Sequence, residues 1–172
     1  MNNPYKKCPV FQTDHFIFRL VKPEDADDLL KCYSDPKAQE FFNTDNFPHD
    51  CRFNTINEML NCIEFWLTEY SQEKYIRFAV VEKSIDKAVG TIEMFGGDVG
   101  VLRIDIVSAY EEVSYLDEII EMCIKNFYDL FAVSAIATKA IPEAENRIES
   151  LLKAGFNRND FKGREHYYLR SN

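Results

Sequence analysis

VGVLRIDIVSAYEEVSYLDE, residues 99–118, joins two hydrophobic periodicities. Leu102, Ile104 and Ile106 alternate with Arg103 and Asp105, which is the period of a strand over 99–107. From Leu116 the apolar positions fall three and four apart through Ile119, Ile120, Cys123, Phe127, Leu130 and Phe131. That spacing predicts a helix over 115–131. A strand feeding a helix through a short turn is a common phosphate seat, because the first N–H groups of a helix lack internal partners. This turn, however, has no glycine and carries Glu111, Glu112, Asp117 and Glu118. The spacing from Ser114 to Asp117 predicts a capping box, with Ser114 as the cap and the acids complementing the helix dipole.

Working outward, RFAVVEK (77–83) and AVGTIEMF (88–95) read as strands about a turn at SIDK, and GGD (96–98) as the next turn. Short turns predict antiparallel pairing of these two strands and 99–107. The helix over 115–131 then predicts a crossover to a parallel strand at 132–141. Upstream lie a strand at 16–21, a helix at 23–35, a loop at 36–54 and a helix at 56–72. In the last, Ile56, Met59, Leu60, Ile63, Leu67 and Tyr70 form the expected buried face. Downstream, Pro142 opens a helix that Gly155 stops, and the tail forms a strand pair turning at Lys162–Gly163. The expected fold class is α/β in the α+β sense. It is a mixed, mostly antiparallel sheet of six to seven strands with helices on both faces. The chain reads as one domain over 1–172, with 1–13 as an N-terminal arm.

The chain has 172 residues, 46% of them hydrophobic, enough for a sizeable core. A net charge of −9 opposes nucleic acid or an anionic membrane as partner, since both require a basic footprint. Cys8, Cys32, Cys51, Cys62 and Cys123 are scattered with no CxxC pair, which fits reduced thiols in a cytoplasmic protein. No apolar run approaches the ~20 residues that span a bilayer. His15, His49 and His166 are too dispersed to predict a metal site. Oligomeric state has no signature here.

The order of elements, with a helix ending in LLKAGF, resembles the GNAT acyltransferase superfamily, nearest to the branch that acetylates ribosomal-protein N-termini. The resemblance runs over residues 14–170. That family opens its central helix with a pattern close to P-x-Y-[RQ]-G-x-G-Y-[AG]-x-E. Tyr110, Tyr115 and Glu118 match it, whereas Glu111 replaces the Arg or Gln, and Glu112 and Ser114 replace the glycines. In the later P-E-N-x-x-S pattern, Pro142 and Glu143 match, but Ala144 replaces Asn and Arg147 replaces Ser. Leu151 stands where many relatives carry a tyrosine acid.

The resemblance implies acetyl transfer from acetyl-CoA to the amine of a small molecule or peptide. The cofactor would lie against Ile106, Val107, Glu111, Glu112, Val113, Ser114, Tyr115 and Ala144. The altered turn implies weak binding: two positions gain a Cβ and a donor becomes an anion. An alternative is a non-catalytic protein of the same fold that holds another ligand or a protein partner. For a base, Glu93 and Asp105 are the candidates, since a carboxylate on a central strand can take the amine proton directly or through water. Their alternation with apolar neighbours equally allows them to face solvent or to pair with Arg103. Arg147 and Lys153 read as solvated cations on the last helix.

Overall fold

The computed structural model describes residues 3–45, 51–95 and 97–172. Its strands are β1 (Phe11–Gln12), β2 (Phe16–Leu20), β3 (Ile76–Glu82), β4 (Lys87–Met94), β5 (Val99–Ile106), β6 (Ala135–Lys139), β7 (Asn157–Arg158) and β8 (Tyr167–Ser171). Its helices are α1 (Ala26–Tyr33), α2 (Pro36–Gln39), α3 (Ile56–Ser71), α4 (Val113–Phe131) and α5 (Glu145–Lys153). The sheet order is β1-β2-β3-β4-β5-β6-β8-β7. β5 runs parallel to β6, with Val101 opposite Ala137, as a helical crossover through α4 requires. The sheet has eight strands rather than six or seven. The extra one, β1, lies in the expected arm and is too short to show a period. Among the described residues no helix is long and apolar enough to cross a membrane.

The chain divides into two compact units. The first comprises Met1–Glu93 with Ile104–Ser108. Here Leu29, Cys32 and Tyr33 of α1 and Met59, Ile63 and Trp66 of α3 share a core with Ala79 and Val81 of β3. α3 starts with a capping box: Glu58 Oε2 accepts from the N–H groups of Asn54 (2.8 Å) and Thr55 (2.9 Å), and Thr55 Oγ1 accepts from Glu58 N–H. Its buried stripe is Met59, Ile63 and Trp66, whereas Leu60 is 37% exposed. The stripe is therefore rotated from the expected one, toward the large indole. The loop expected at 36–54 begins with α2, capped by Asp35, which accepts from Lys37 N–H at 3.0 Å. Residues 46–50 of that loop, His49 included, lie outside the described residues. The arm is tied down by β1–β2 pairing and by Tyr70 Oη, which donates to the Pro4 carbonyl at 3.0 Å. Gly90 permits close approach of β4 and β5: a Cβ there would stand 2.2 Å from the Asp105 carbonyl oxygen.

The second unit comprises Met94–Arg103 with Ala109–Asn172. α4 buries Leu116, Ile119, Ile120, Cys123 and Phe127, the face its spacing predicts. Its start differs from expectation. The N-cap is Glu112, whose side chain makes no capping hydrogen bond, and Ser114 already lies in the first turn. α5 also starts late, at Glu145, and ends in a Schellman motif. Gly155 (φ +86°) donates to Leu152 O, and Phe156 donates to Leu151 O. The tail forms the expected strand pair, β7 with β8, and turns at Lys162–Gly163, both at positive φ.

Candidate active site

The alternation along β4 puts Thr91 and Glu93 on one face, and both are buried. Asp105 of β5 is 0% exposed and Glu93 only 6%, so neither faces solvent. The cation they share is Arg77, near the start of β3. Arg77 Nη2 donates to Glu93 Oε2, and Arg77 Nη1 lies 3.4 Å from Asp105 Oδ2 and 3.3 Å from Thr91 Oγ1. Tyr33 Oη, from α1, donates to Asp105 Oδ2 at 2.8 Å and lies 2.8 Å from Thr91 Oγ1. The guanidinium rests over the Trp66 ring, 4.4 Å from its centroid. The guanidinium thus bridges carboxylates carried by two different strands, and the Tyr33 hydroxyl and Thr91 complete the cluster. Nearby, burial pushes the Tyr75 phenol above its usual range, and the charge of Glu93 adds to the rise.

Arg77, Tyr33 and Thr91 were not among the expected site residues. Their signal in the sequence is faint. Arg77 is a charge beside the apolar run from Phe78 to Val81, and a buried charge in a sheet needs a partner.

Within the first unit, β5 ends at Ile106, which is buried. The half-buried Val107 donates its N–H to Val89 O at 2.9 Å. Ser108 N–H then donates to Asp35 Oδ2 at 3.0 Å. Burial works to raise the Asp35 carboxyl, but hydrogen bonds from Ser108, Lys37 and Ala38 outweigh it and hold the group below the usual range.

Within the second unit, the turn is braced from α5. Glu111 is buried, and its carboxylate meets Arg147 through Nη2 and through Nε at 3.3 Å. Arg147, expected to be solvated, is 2% exposed. Asn146 Nδ2 donates to the Glu111 carbonyl at 2.7 Å, and Ser150 Oγ to the Val113 carbonyl at 3.4 Å. Glu112 and Ser114 are exposed; Val113 and Tyr115 are half-buried. The Tyr115 ring stands 5.1 Å from that of Tyr110. Ala144 is buried and serves as the N-cap of α5. Lys153 is exposed as expected and pairs with Asp117, a hydrogen bond that raises the lysine above its ordinary range. No group of three or more His, Cys, Asp or Glu positioned for a metal ion occurs among the described residues.

Residues 15–157 match the family model of an acetyltransferase (GNAT) domain. An uncharacterized N-acetyltransferase, YoaA, of Bacillus subtilis (strain 168) is 19% identical over 155 residues, covering 86% of this chain and 82% of its own length. In fold, the chain is similar to the ribosomal-protein-S5-alanine acetyltransferase of Vibrio fischeri. That match has a TM-score of 0.73 and 15% identity, and covers 95% of this chain and 97% of the other. It is similar to the same degree (TM-score 0.73, 7% identity, 95% and 98% covered) to RimL, a ribosomal L7/L12 alpha-N-protein acetyltransferase solved with coenzyme A.

Proposed function

Because the chain belongs to the GNAT acetyltransferase family, we propose that it is an acetyl-CoA-dependent N-acetyltransferase acting on an amine of a small molecule or peptide. The observation that carries this reading is the family match, which runs through both the strands bearing Glu93 and Asp105 and the turn that opens α4. The five free cysteines suit a reducing cytoplasm. We treat 1–172 as one domain of this family.

The first turn of α4 suits a phosphate in one respect: the Glu112 side chain does not cap it. Arg147 also offsets the Glu111 charge, so the repulsion expected from that residue is largely cancelled. Exposed Glu112 and the Cβ atoms of Glu112 and Ser114 still oppose close approach, so the reading expects weak acetyl-CoA binding, roughly in the high micromolar range or worse. Residues 111–115 and Ala144, all in the second unit, would hold the cofactor phosphates in this reading. Acetyl-CoA supplies an acyl group already activated as a thioester.

Glu93 is the base in this reading, taking the proton from the acceptor amine directly or through water. Asp105 is the deeper of the two carboxylates. It holds Tyr33 and Arg77, and through them the position of Glu93. Leu151 has no proton to give and is fully buried, so it cannot serve as the acid toward the leaving sulfur. That same residue favours the second reading, a non-catalytic protein that keeps the fold.

Two measurements separate the readings. Acetyl-CoA at ten times its Kd adds about 1.4 kcal/mol of stability, so ligand at about 10 mM should raise Tm visibly. No shift at 10 mM acetyl-CoA rules out the enzyme. If the protein turns over a panel of amines, Glu93→Gln should lower kcat more than it raises KM. Full activity in that variant removes Glu93 as the base.

A further inference from the structure

We propose that Arg147 and Asn146 are positioning residues that fix the turn at 111–113, so that the first turn of α4 is set for the cofactor phosphates by a brace from α5 rather than by glycines. The inference rests on the cofactor reading above.

Two positions that depart from the family pattern, Glu111 and Arg147, are 36 residues apart in sequence and in contact in space. Loop decay would leave unrelated substitutions, but here an acid and a base stand at the two positions and neutralise each other. The contact uses Nε and Nη2 of one guanidinium against both carboxylate oxygens. That two-pronged form sets direction as well as distance. Asn146 takes the Glu111 carbonyl, and Ser150 reaches the Val113 carbonyl. Residues 146, 147 and 150 therefore hold the chain on both sides of the N-cap, Glu112.

Glycines allow close approach but leave a free loop with more freedom to lose. A braced turn has lost that freedom before any ligand arrives, which lowers the ordering cost of binding. The side chain at the seat itself, Glu112, is the one the brace leaves outside.

The test compares wild type with Arg147→Met, Arg147→Lys and Asn146→Ala. Each is titrated calorimetrically with coenzyme A and with ADP, well below its own Tm. Arg147→Met should weaken both ligands tenfold or more, and Asn146→Ala severalfold. Arg147→Lys, which keeps the charge but not the two-pronged contact, should recover only a small part of the loss; full recovery would reduce Arg147 to a neutralising charge and overturn the brace. A purely structural residue would lower Tm and leave the Kd of the folded protein unchanged, which would overturn the proposal. Hydrogen exchange supplies a readout independent of ligand. The amides of Tyr115 and Leu116, both bonded to the Glu112 carbonyl, should exchange at least tenfold faster in Arg147→Met or, if that variant does not fold, in Asn146→Ala. Unchanged exchange there also overturns the brace. If wild type binds neither coenzyme A nor ADP while exchange shows the loosening, the cofactor reading falls and the brace remains as the device that sets this turn.

Discussion

Replacing Arg77 by Met tests whether the buried carboxylates Glu93 and Asp105 depend on the cation they share. Met fills much of the arginine stem but leaves Glu93 and Asp105 facing each other's charge in a region where Arg77 is 1% exposed and Asp105 is 0% exposed. Removing one partner of a buried ion pair costs about 3–5 kcal/mol. Loss of the guanidinium from the Trp66 face adds up to about 2 kcal/mol at a desolvated site. A total near 5 kcal/mol is a large part of the roughly 5–15 kcal/mol that holds a domain folded. At about 2–4 °C per kcal/mol for a chain of this size, Tm should fall by roughly 10–20 °C. Urea denaturation followed by far-UV circular dichroism gives the same quantity at 25 °C from the midpoint and slope. The triple variant Arg77→Met, Glu93→Gln, Asp105→Asn contains no buried charge at these positions and should recover a large part of the loss. A cost below about 1 kcal/mol for the single variant, or a triple variant less stable than the single, would refute the reasoning.

Tyr33→Phe removes one donor to Asp105, which keeps Arg77, and should cost about 1.5–3 kcal/mol in the same assay, the range for a hydrogen bond to a charged group. Asp35 is held below its ordinary range in the folded protein, so its contribution is present above the unfolded carboxylate pKa and is lost as pH falls through the lower folded value. Stability curves from pH 6 down to pH 2 should therefore be flatter for Asp35→Asn than for wild type; parallel curves would remove Asp35 from the acid response. Gly90→Ala places a Cβ 2.2 Å from the Asp105 carbonyl and 2.7 Å from Ile106 Cα. Backbone atoms cannot swing aside, so the loss should reach or exceed the ~1–3 kcal/mol of ordinary overpacking; a thermal melt within 2 °C of wild type would show that β4 and β5 can part at no cost.

The strands and long helices were legible because each carries its own period. The parallel return of β6 followed from the length of the crossover alone. What escaped were pairs set by distant residues. Arg147 reads as a surface cation when α5 is considered alone, and only the placement of Glu111 shows why it is buried. The sequence offered Arg103 as a partner for Glu93 and Asp105, but the pairing with Arg77 joins different strands and no single strand's pattern reveals it. The Ser114 cap failed for a local reason: the helix starts one residue before it, so a spacing that fits a capping box fell inside the first turn. On α3 the buried stripe includes Trp66 and leaves Leu60 exposed, a rotation within the apolar arc that periodicity alone does not fix.

The strand order closes at each end on a strand of two residues, β1 on one side and β7 on the other. An open sheet edge is a template on which another extended chain can add itself, and long, flat, apolar edges seed fibrils. A two-residue strand offers only about one outward-facing N–H and C=O pair, since these groups alternate sides along the backbone. Asn157 and Arg158, which form one of these ends, are both exposed and polar. A second copy meeting this edge would gain little more than a single rung and would have to approach the Arg158 charge. The protein should therefore resist sheet-to-sheet polymerisation when concentrated, and substitutions that lengthen β1 or β7 with valine or isoleucine would be the changes that turn it toward aggregation.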